Sequence, residues 1–271
     1  MRHLPDKPAL TDRLLAGYAR RGWRGFLTLQ RVLRRSAIEV HTQHDAVMSL
    51  HPADYIDRIV LHDGYYEPEV FEALQPFFAP GVVLWDIGAN FGLHSVSAAV
   101  AESALQVHSF EPNPAMFPRL TAHASRNGVA IRCWPIALGE RDGTTTLHVV
   151  SSGNPGMTTL TPWSEASYDT QVQVPLVRAD TLIDRGDIPA PHLIKLDVEG
   201  SEAAVLAGFG RRLADPDLRA VVFETMADLL RDPAQCPAAR LLQAAGFSFR
   251  ALPRTAGSAH ALGNFLAHRL T

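Results

Sequence analysis

The chain has 271 residues, which is enough for one large α/β domain or one domain with a small addition. Its formal net charge of −3 gives no general reason to expect a nucleic-acid partner. We find no run of 18 apolar residues and no secretory leader pattern, so we expect no transmembrane segment. The cysteines Cys133 and Cys236 lack metal or redox spacing, which favours free thiols in the cytoplasm.

Residues 1–45 predict a helical, arginine-rich extension. One helix is expected from Thr11 through Tyr18 and a second over residues 26–35, because glycines interrupt the pattern between them. The arginines would suit contact with an anionic membrane or another polyanion. We favour a different role over membrane or polyanion contact, because the glycines limit a continuous amphipathic face. In that role the segment is a helical lid, or an arm that pairs two copies as a homodimer, and its arginines are solvated.

Residues 46–80 predict a lead-in segment before the main domain. We expect residues 55–62 to be extended, because β-branched and aromatic side chains dominate them. A helix with one apolar face should follow from Val70 to Phe77.

Residues 81–271 alternate strand and helix patterns. This alternation predicts an α/β fold with a mostly parallel, Rossmann-like sheet of about seven strands and helices on both faces. A pair of alternating segments should form an antiparallel excursion, and the Gly-, Ser-, Thr- and Pro-rich residues 151–168 between them predict a loop over the substrate. The expected core strands are residues 82–86, 106–110, 130–134, 192–196, 219–223, 247–252 and 264–268.

The turn after the first of these strands reads Asp86-Ile87-Gly88-Ala89-Asn90-Phe91-Gly92. Glycines let the backbone approach a ligand, and the following helix presents free N–H groups. A dinucleotide fingerprint would have glycine where Asn90 stands. An acid at the strand tip suits the cationic, phosphate-free S-adenosylmethionine better than a pyrophosphate. We therefore expect a loop that binds a methyl donor, and a dinucleotide-binding loop is the second alternative.

Four expected strands end in an acid: Asp86, Glu111, Asp197 and Glu224. Ligands of open α/β sheets bind at the carboxyl ends of the strands, so four such acids favour a cationic or hydroxyl-rich ligand. Glu111 should accept both hydroxyls of a ribose. Asn113 is expected beside the adenosine, or as the cap of the next helix.

Asp142 could approach the adenine amino group from the loop after the third strand. An Asp142-Gly143 turn is the favoured alternative for this residue.

The segments Asp86-Ile87-Gly88-Ala89-Asn90-Phe91-Gly92, Phe110-Glu111-Pro112-Asn113, Ala137-Leu138-Gly139 and Ile194-Lys195-Leu196-Asp197-Val198-Glu199-Gly200-Ser201-Glu202 together resemble the FkbM family of class I methyltransferases. Tyr66-Glu67-Pro68-Glu69-Val70 resembles the family's entry to the first core strand. The resemblance spans roughly residues 60–225. It implies S-adenosylmethionine as the donor and usually methylation of a hydroxyl on a small metabolite or sugar.

The resemblance also implies roles for single residues. Glu111 matches the ribose acid, and Asp197 matches the acid near the methionine end of the donor or the acceptor. Asp86, Gly88, Asn90 and Gly92 match the loop around the methionine part of the donor. Glu67, Ala89 and Asn113 are further residues that we expect at the donor.

An alcohol acceptor has a high pKa, so a base or a metal must help to remove its proton. The candidate bases are Glu199, Asp197, Glu224, Glu67 and His94. A non-helical turn could bring Asp197 and Glu199 together and raise one pKa by repulsion, whereas the alternative is an acid that stabilises the helix N-terminus. His94, which stands where relatives often have an aromatic residue, could equally lie on a helix surface.

Lys195 lies inside an otherwise apolar strand and needs a partner. A structural ion pair is favoured, with Glu199 or Glu224 as the expected partner. Asp197 and Glu224 could instead hold magnesium, but we expect no obligatory metal because no histidine spacing supports one.

The sequence thus predicts an S-adenosylmethionine-dependent O-methyltransferase. The alternatives are N-methylation of an amine, a nicotinamide-dependent oxidoreductase, and a non-catalytic scaffold that uses the arginine-rich arm.

Overall fold

The computed structural model describes residues 9–20, 37–150, 155–162, 168, 170–226, 235–253 and 262–269. The helix expected over residues 26–35, with most of the arginines of the N-terminal extension, lies outside this description. The helices that are described are α1 (Leu10–Arg20), α2 (Tyr55–Asp63), α3 (Pro68–Leu74), α4 (Leu93–Ala101), α5 (Phe117–Arg126), α6 (Ala179–Asp184), α7 (Glu202–Gly208) and α8 (Pro237–Ala244), with short 3-10 turns at Gln75–Phe77, Pro155–Met157 and Gly210–Ala214.

The strands form three sheets. Their bounds are β1 (Ile38–His41), β2 (Val47–Leu50), β3 (Val83–Ile87), β4 (Gln106–Phe110), β5 (Ile131–Trp134), β6 (Ala137–Leu138), β7 (Gly143–Val149), β8 (Thr170–Val177), β9 (Leu193–Leu196), β10 (Ala220–Met226), β11 (Ser248–Ala251) and β12 (Leu262–His268). The largest sheet has seven strands in the order β11-β12-β10-β9-β3-β4-β5. In this sheet β12 runs in the opposite direction to the other six strands. The expected mostly parallel, Rossmann-like sheet is confirmed.

Alternate side chains of the strands face two separate cores. Leu84 of β3 belongs to a cluster with residues of α3 and α4, whereas Trp85 belongs to a cluster with residues of α7 and α8. All five residues of β3 are buried, as is usual for a parallel strand covered on both faces. The two cores therefore account for helices on both faces of the sheet.

The strand order reverses at β3. The next strand in the chain, β4, lies on one side of β3, and the later strand β9 lies on the other. At such a switch point the loops leave the sheet in opposite directions and open a crevice at the carboxyl ends of the strands.

An unexpected β-hairpin precedes the main sheet. The strands β1 and β2 pair antiparallel around a turn at Asp45, so the boundary expected after residue 45 falls inside one hairpin. The side chain of Asn127 on α5 accepts from the Val47 N–H at 2.7 Å and donates to the Val47 carbonyl at 2.8 Å. This amide pairs with β2 much as a neighbouring strand would, and it fixes the hairpin against α5.

The expectation that residues 55–62 are extended was wrong, because α2 covers them. The helix begins after Asp54 and ends at Gly64, which adopts φ 88 and donates its N–H to the Val60 carbonyl. These are ordinary helix start and stop residues that outweigh the strand-like composition between them. Asp57 on this helix is buried and pairs with Arg119 of α5, a partner distant in sequence.

The antiparallel excursion is confirmed as β7 and β8, which pair from Gly143 to Val149. The short strand β6 adds to it in parallel, as a third strand that was not expected. In the main sheet, Glu224 lies inside β10 rather than at its end, because β12 pairs with β10 as far as Met226 and extends it.

Candidate active site

A cavity opens at the carboxyl ends of β3, β4 and β9, at the switch point of the sheet. Its walls come from the lead-in segment, from the turns after these strands, from β10 and from the segment that follows β7. The polar lining residues that bear on function are Tyr66, Glu67, Asn90, His94, Glu111, Asn113, Thr158, Thr159, Lys195, Asp197, Glu199 and Glu224, together with the backbone of Gly88 and Ala89.

The turn after β3 depends on its glycines for close packing. Gly88 adopts φ 80, and a Cβ atom there would lie 1.8 Å from the carbonyl oxygen of Asp197. Gly92 adopts φ 89, and its Cβ would lie 2.5 Å from a methyl group of Leu120. Asn90 adopts φ 52 although it carries a side chain. Such a left-handed, non-glycine residue is costly and is often found in ligand sites.

Glu111 follows β4 and is held by the backbone on both sides. One carboxylate oxygen accepts from the Asn90 N–H and the other from the Asn113 N–H, each at 2.7 Å. Burial raises the pKa of Glu111 to about 7, although these two hydrogen bonds oppose the shift. Asn113 caps its own turn by accepting from the Ala115 N–H at 2.9 Å, and it donates to the Thr158 hydroxyl at 3.3 Å.

Asp86 and Lys195 form a buried ion pair below the turn. Lys195 Nζ lies 3.4 Å from Asp86 Oδ1 and 3.2 Å from Asp197 Oδ2, and it donates to the Gly88 carbonyl at 2.9 Å. Burial lowers the pKa of Lys195, but the charges of Asp197 and Asp86 outweigh this and raise it overall. Asp86 also accepts from the Ser95 hydroxyl. The structural ion pair expected for Lys195 is present, with Asp86 and Asp197 rather than Glu199 or Glu224 as partners.

Four carboxylates gather in a second part of the cavity: Glu67, Asp197, Glu199 and Glu224. Burial raises the pKa of Glu67, Glu199 and Glu224, and the charge of Asp197 raises each of them further. Glu67 and Glu199 adopt φ 50 and φ 54. We call this group the Glu199 end, and we call Gly88, Ala89, Asn90, Glu111 and Asn113 the Glu111 end.

His94 is a lining residue rather than a helix-surface residue. Its Nδ1 lies 3.4 Å from the hydroxyl of Tyr65, and the two rings pack edge to face. Burial, with the charge of Lys195, lowers the pKa of His94 to about 3. The imidazole is therefore neutral near pH 7, and it is too weakly basic to compete with the carboxylates for a proton.

Comparison with known proteins identifies the family. Residues 86–249 match the model of the methyltransferase FkbM domain, which is more than half of the 271-residue chain. The chain belongs to the FkbM methyltransferase domain family.

Two curated relatives have informative names. The hexuronic acid methyltransferase AglP of Haloferax volcanii is 32% identical over 132 residues, covering 48% of this chain and 51% of the relative. The 31-O-demethyl-FK506 methyltransferase FkbM of Streptomyces tacrolimicus is 31% identical over 172 residues, covering 54% of this chain and 65% of the relative. The matched region thus spans about half to two thirds of these relatives.

Among solved structures, magnesium protoporphyrin IX methyltransferase from Synechocystis is similar over 97% of this chain and 99% of that chain, with 15% identity and a TM-score of 0.47. The P. horikoshii TYW2 structure is similar over 97% of this chain and 90% of that chain, with 12% identity and a TM-score of 0.49.

The FkbM domain match begins at Asp86 and ends within β11. Tyr66 and Glu67 reach the cavity from outside that region, from the segment between α2 and α3. The lead-in segment therefore lines the cavity and does not only support it.

Three sequence candidates lie away from the lining of the FkbM cavity. Asp86 is 1% exposed and lies beneath the turn, and Gly92 packs on Leu120. Asp142 accepts from the Arg178 N–H at 2.7 Å and from the Thr181 hydroxyl at 3.0 Å, which fits the favoured turn.

The segment after β7 contributes lining residues that could not be named individually from the sequence. Thr158, Thr159 and Leu160 line the cavity, and Gly156 joins them. Residues 151–168 were expected to cover the substrate, but the small and hydroxyl side chains gave no sign of which would face inward. Tyr66 was missed as well, although it directly precedes Glu67 in the motif.

Within the described part of the chain, no group of three or more His, Cys, Asp or Glu side chains has the spacing of a metal site. That the reaction requires no metal stays a prediction. No described helix combines the length and the apolar character that crossing a membrane requires.

Proposed function

We propose that the protein is an S-adenosylmethionine-dependent O-methyltransferase that methylates a hydroxyl of a small metabolite or sugar. The observation that carries the proposal is Glu111, whose carboxylate is fixed at the tip of β4 by two backbone N–H groups and lines the cavity. A carboxylate in this position can accept the two hydroxyls of a ribose. Membership of the FkbM family supports the donor and the reaction class.

The Glu111 end would hold the donor. Gly88 and Ala89 leave room for close approach of the donor to the turn, and apolar side chains such as Leu138 and Leu147 offer an adenine a non-polar wall. Lys195 would act indirectly, since it fixes Asp197 and the Gly88 carbonyl at the floor of the cavity.

The Glu199 end would hold the acceptor and remove its proton. The donor supplies a methyl group to the acceptor oxygen and leaves as a thioether. Glu199 is the proposed base because it lines the cavity on a left-handed turn two residues after Asp197. Its raised pKa, like those of Glu67 and Glu224, allows a carboxylate to accept a proton near physiological pH. Asp197 pairs with Lys195 at 3.2 Å, and its nearby charge raises the pKa of Glu199 and Glu224.

The names of the relatives support an oxygen acceptor. One acts on a hexuronic acid and the other on the demethylated 31-oxygen of FK506. N-methylation is a second candidate with a specific observation behind it, because four carboxylates would attract an ammonium group.

The cytoplasmic location, the homodimer through the N-terminal arm and the division at residues 45 and 80 stay predictions.

Calorimetric titration with S-adenosylmethionine and S-adenosylhomocysteine tests the donor assignment, and absence of binding to either would refute it. Acceptor class is tested with methyl-labelled donor against hexuronic acid glycosides, 31-O-demethyl-FK506 and matched amine-bearing analogues. Label on oxygen supports the proposal, and label only on nitrogen would favour the second candidate.

A further inference from the structure

One face of the cavity is formed by a strap, residues 156–161, that follows β7. Backbone hydrogen bonds pair Thr159 with His148 of β7 in both directions, at 2.9 and 3.1 Å. Thr159 is 1% exposed. The strap is thus anchored to the three-stranded sheet, and Thr159 faces the protein interior.

The strap meets the turn that carries Glu199. In this turn Glu199 has φ 54 and Gly200 has φ 96, a backbone that a side-chain-bearing residue adopts only when its surroundings enforce it. Glu202 holds the turn from the helix side, where one carboxylate oxygen accepts from the Val198 N–H at 3.1 Å and the Gly200 N–H at 3.2 Å. A donor from the strap reaches the carbonyl of Glu199.

Thr159 is that donor. Its hydroxyl donates to the Glu199 carbonyl at 2.7 Å and accepts from the Thr161 N–H at 3.0 Å. The Thr161 carbonyl is a more distant alternative acceptor at 3.2 Å. A hydroxyl held in this way between a backbone donor and a backbone acceptor has a defined orientation.

We propose that Thr159 is a positioning residue that keeps Glu199 directed into the cavity by bonding to its carbonyl. This inference rests on the proposed function, in which Glu199 is the base. Loss of the hydroxyl removes this donor from the Glu199 carbonyl, and the turn can then relax toward an ordinary φ. Relaxation moves the carboxyl group toward solvent and away from Asp197.

The titration of Glu199 itself provides a test that needs no acceptor. Carboxyl carbon NMR of glutamate-labelled protein, saturated with S-adenosylhomocysteine, gives the apparent pKa of Glu199, with its signal assigned by its loss in Glu199→Gln. In Thr159→Val we expect this pKa to fall by about one unit or more toward its ordinary value, as burial and repulsion are relieved. Thr159→Ser should restore the wild-type titration.

Thr144→Val is the matched control, since it is the same substitution on β7, the strand that anchors the strap, and Thr144 is exposed, whereas the Thr161 hydroxyl contacts Ser201 beside the Glu199 turn. Its titration should equal the wild type. Affinity for S-adenosylhomocysteine should change by less than about twofold in all of these variants, because the Thr159 hydroxyl contacts the backbones of Glu199 and Thr161 and it is the neighbouring Thr158 that contacts Asn113. If Thr159→Val does not fold, Thr159→Ala gives the same readout.

Turnover separates this inference from the proposed base. With an acceptor from the screen above, Thr159→Val should lower kcat about three- to tenfold, which is the fold-change of one lost hydrogen bond. An unchanged Glu199 titration in Thr159→Val, with Glu199→Gln inactive, would overturn the positioning role and leave the base assignment standing. Wild-type turnover in Glu199→Gln would instead overturn the base assignment, and the positioning role with it.

Discussion

The two ends of the cavity use carboxylates in opposite ways. At the Glu111 end a single carboxylate has both oxygens held by backbone N–H groups, at 2.7 Å each. At the Glu199 end four carboxylates share one region, and burial and mutual repulsion raise the pKa of three of them. The first arrangement suits constant recognition of the hydroxyls of a donor. The second suits movement of a proton, because its charges are not fully compensated.

The ends also differ in how the chain builds them. The Glu111 end comes from two consecutive strand-and-turn units, after β3 and β4. The Glu199 end gathers residues from the lead-in segment, the turn after β9 and the middle of β10. We therefore expect changes at the Glu111 end to alter donor affinity, and changes at the Glu199 end to alter turnover.

The largest effect should come from Glu199→Gln, which removes the base and keeps the shape. We expect kcat to fall by about 10²- to 10⁴-fold, the usual contribution of general base catalysis, with donor affinity nearly unchanged. Single-turnover methyl transfer and calorimetry measure the two quantities. A comparable loss of donor affinity would abolish the distinction between the two ends.

Gly88→Ala should be the most disruptive change at the Glu111 end, because its Cβ would meet the Asp197 carbonyl. We expect the free energy of unfolding to fall by about 3 kcal/mol or more, from left-handed strain plus overpacking. Gly81→Ala is the matched control, since Gly81 has nearly the same φ, 79 against 80, and no atom within 4 Å of its Cβ. Denaturant titrations measure the free energy of unfolding of both variants. An equal decrease in the two would show that backbone strain alone accounts for the effect at Gly88.

Glu111→Gln should weaken binding of S-adenosylhomocysteine by about 30-fold or more, roughly 2 kcal/mol. An amide has one acceptor oxygen, so it cannot serve two backbone N–H groups and a ribose. Calorimetry gives the affinity. Asp142→Asn serves as the control and should bind S-adenosylhomocysteine with unchanged affinity. If Asp142→Asn lost as much affinity as Glu111→Gln, Asp142 would have to be assigned to the adenine site.

The smallest expected effect is on the pH dependence of stability without donor. The pKa of Glu111 is about 7 in the folded chain against an ordinary value of 4.5, so between these values the folded state binds more protons than the unfolded state. The raised pKa values at the Glu199 end act in the same direction. The free energy of unfolding should therefore decrease by about 1 kcal/mol or more from pH 5 to pH 8.

Chemical denaturation across this pH range measures the decrease. Glu224→Gln should make the pH dependence shallower, because glutamine carries no titratable proton. Exposed Glu140 provides the control substitution Glu140→Gln, which should keep the wild-type slope. Stability that rises toward pH 8 would contradict the proposed crowding of buried acids.

Much of the fold could be predicted because local patterns set it. Strand β4 has the predicted bounds, 106–110, and the alternating strands and helices gave a mostly parallel sheet. The helix at residues 55–63 was missed, since its β-branched composition favoured a strand and only Asp54 and Gly64 marked a helix. The hairpin of β1 and β2 was missed because its partner is an amide side chain on α5, which no local pattern reveals.

The sequence alone determined the chemistry available at the sheet edge. Glycines, one asparagine and a series of acids follow successive strands, and parallel strands bring such residues to one edge. Only the tertiary structure decided how each acid is used. Asp86 is buried against Lys195, Glu111 is held by two backbone N–H groups, and Glu199 faces the cavity on a strained turn that Thr159 holds. The reason is physical: burial, distance to other charges and hydrogen-bond partners set the behaviour of a carboxylate, and all three come from segments far apart in the chain.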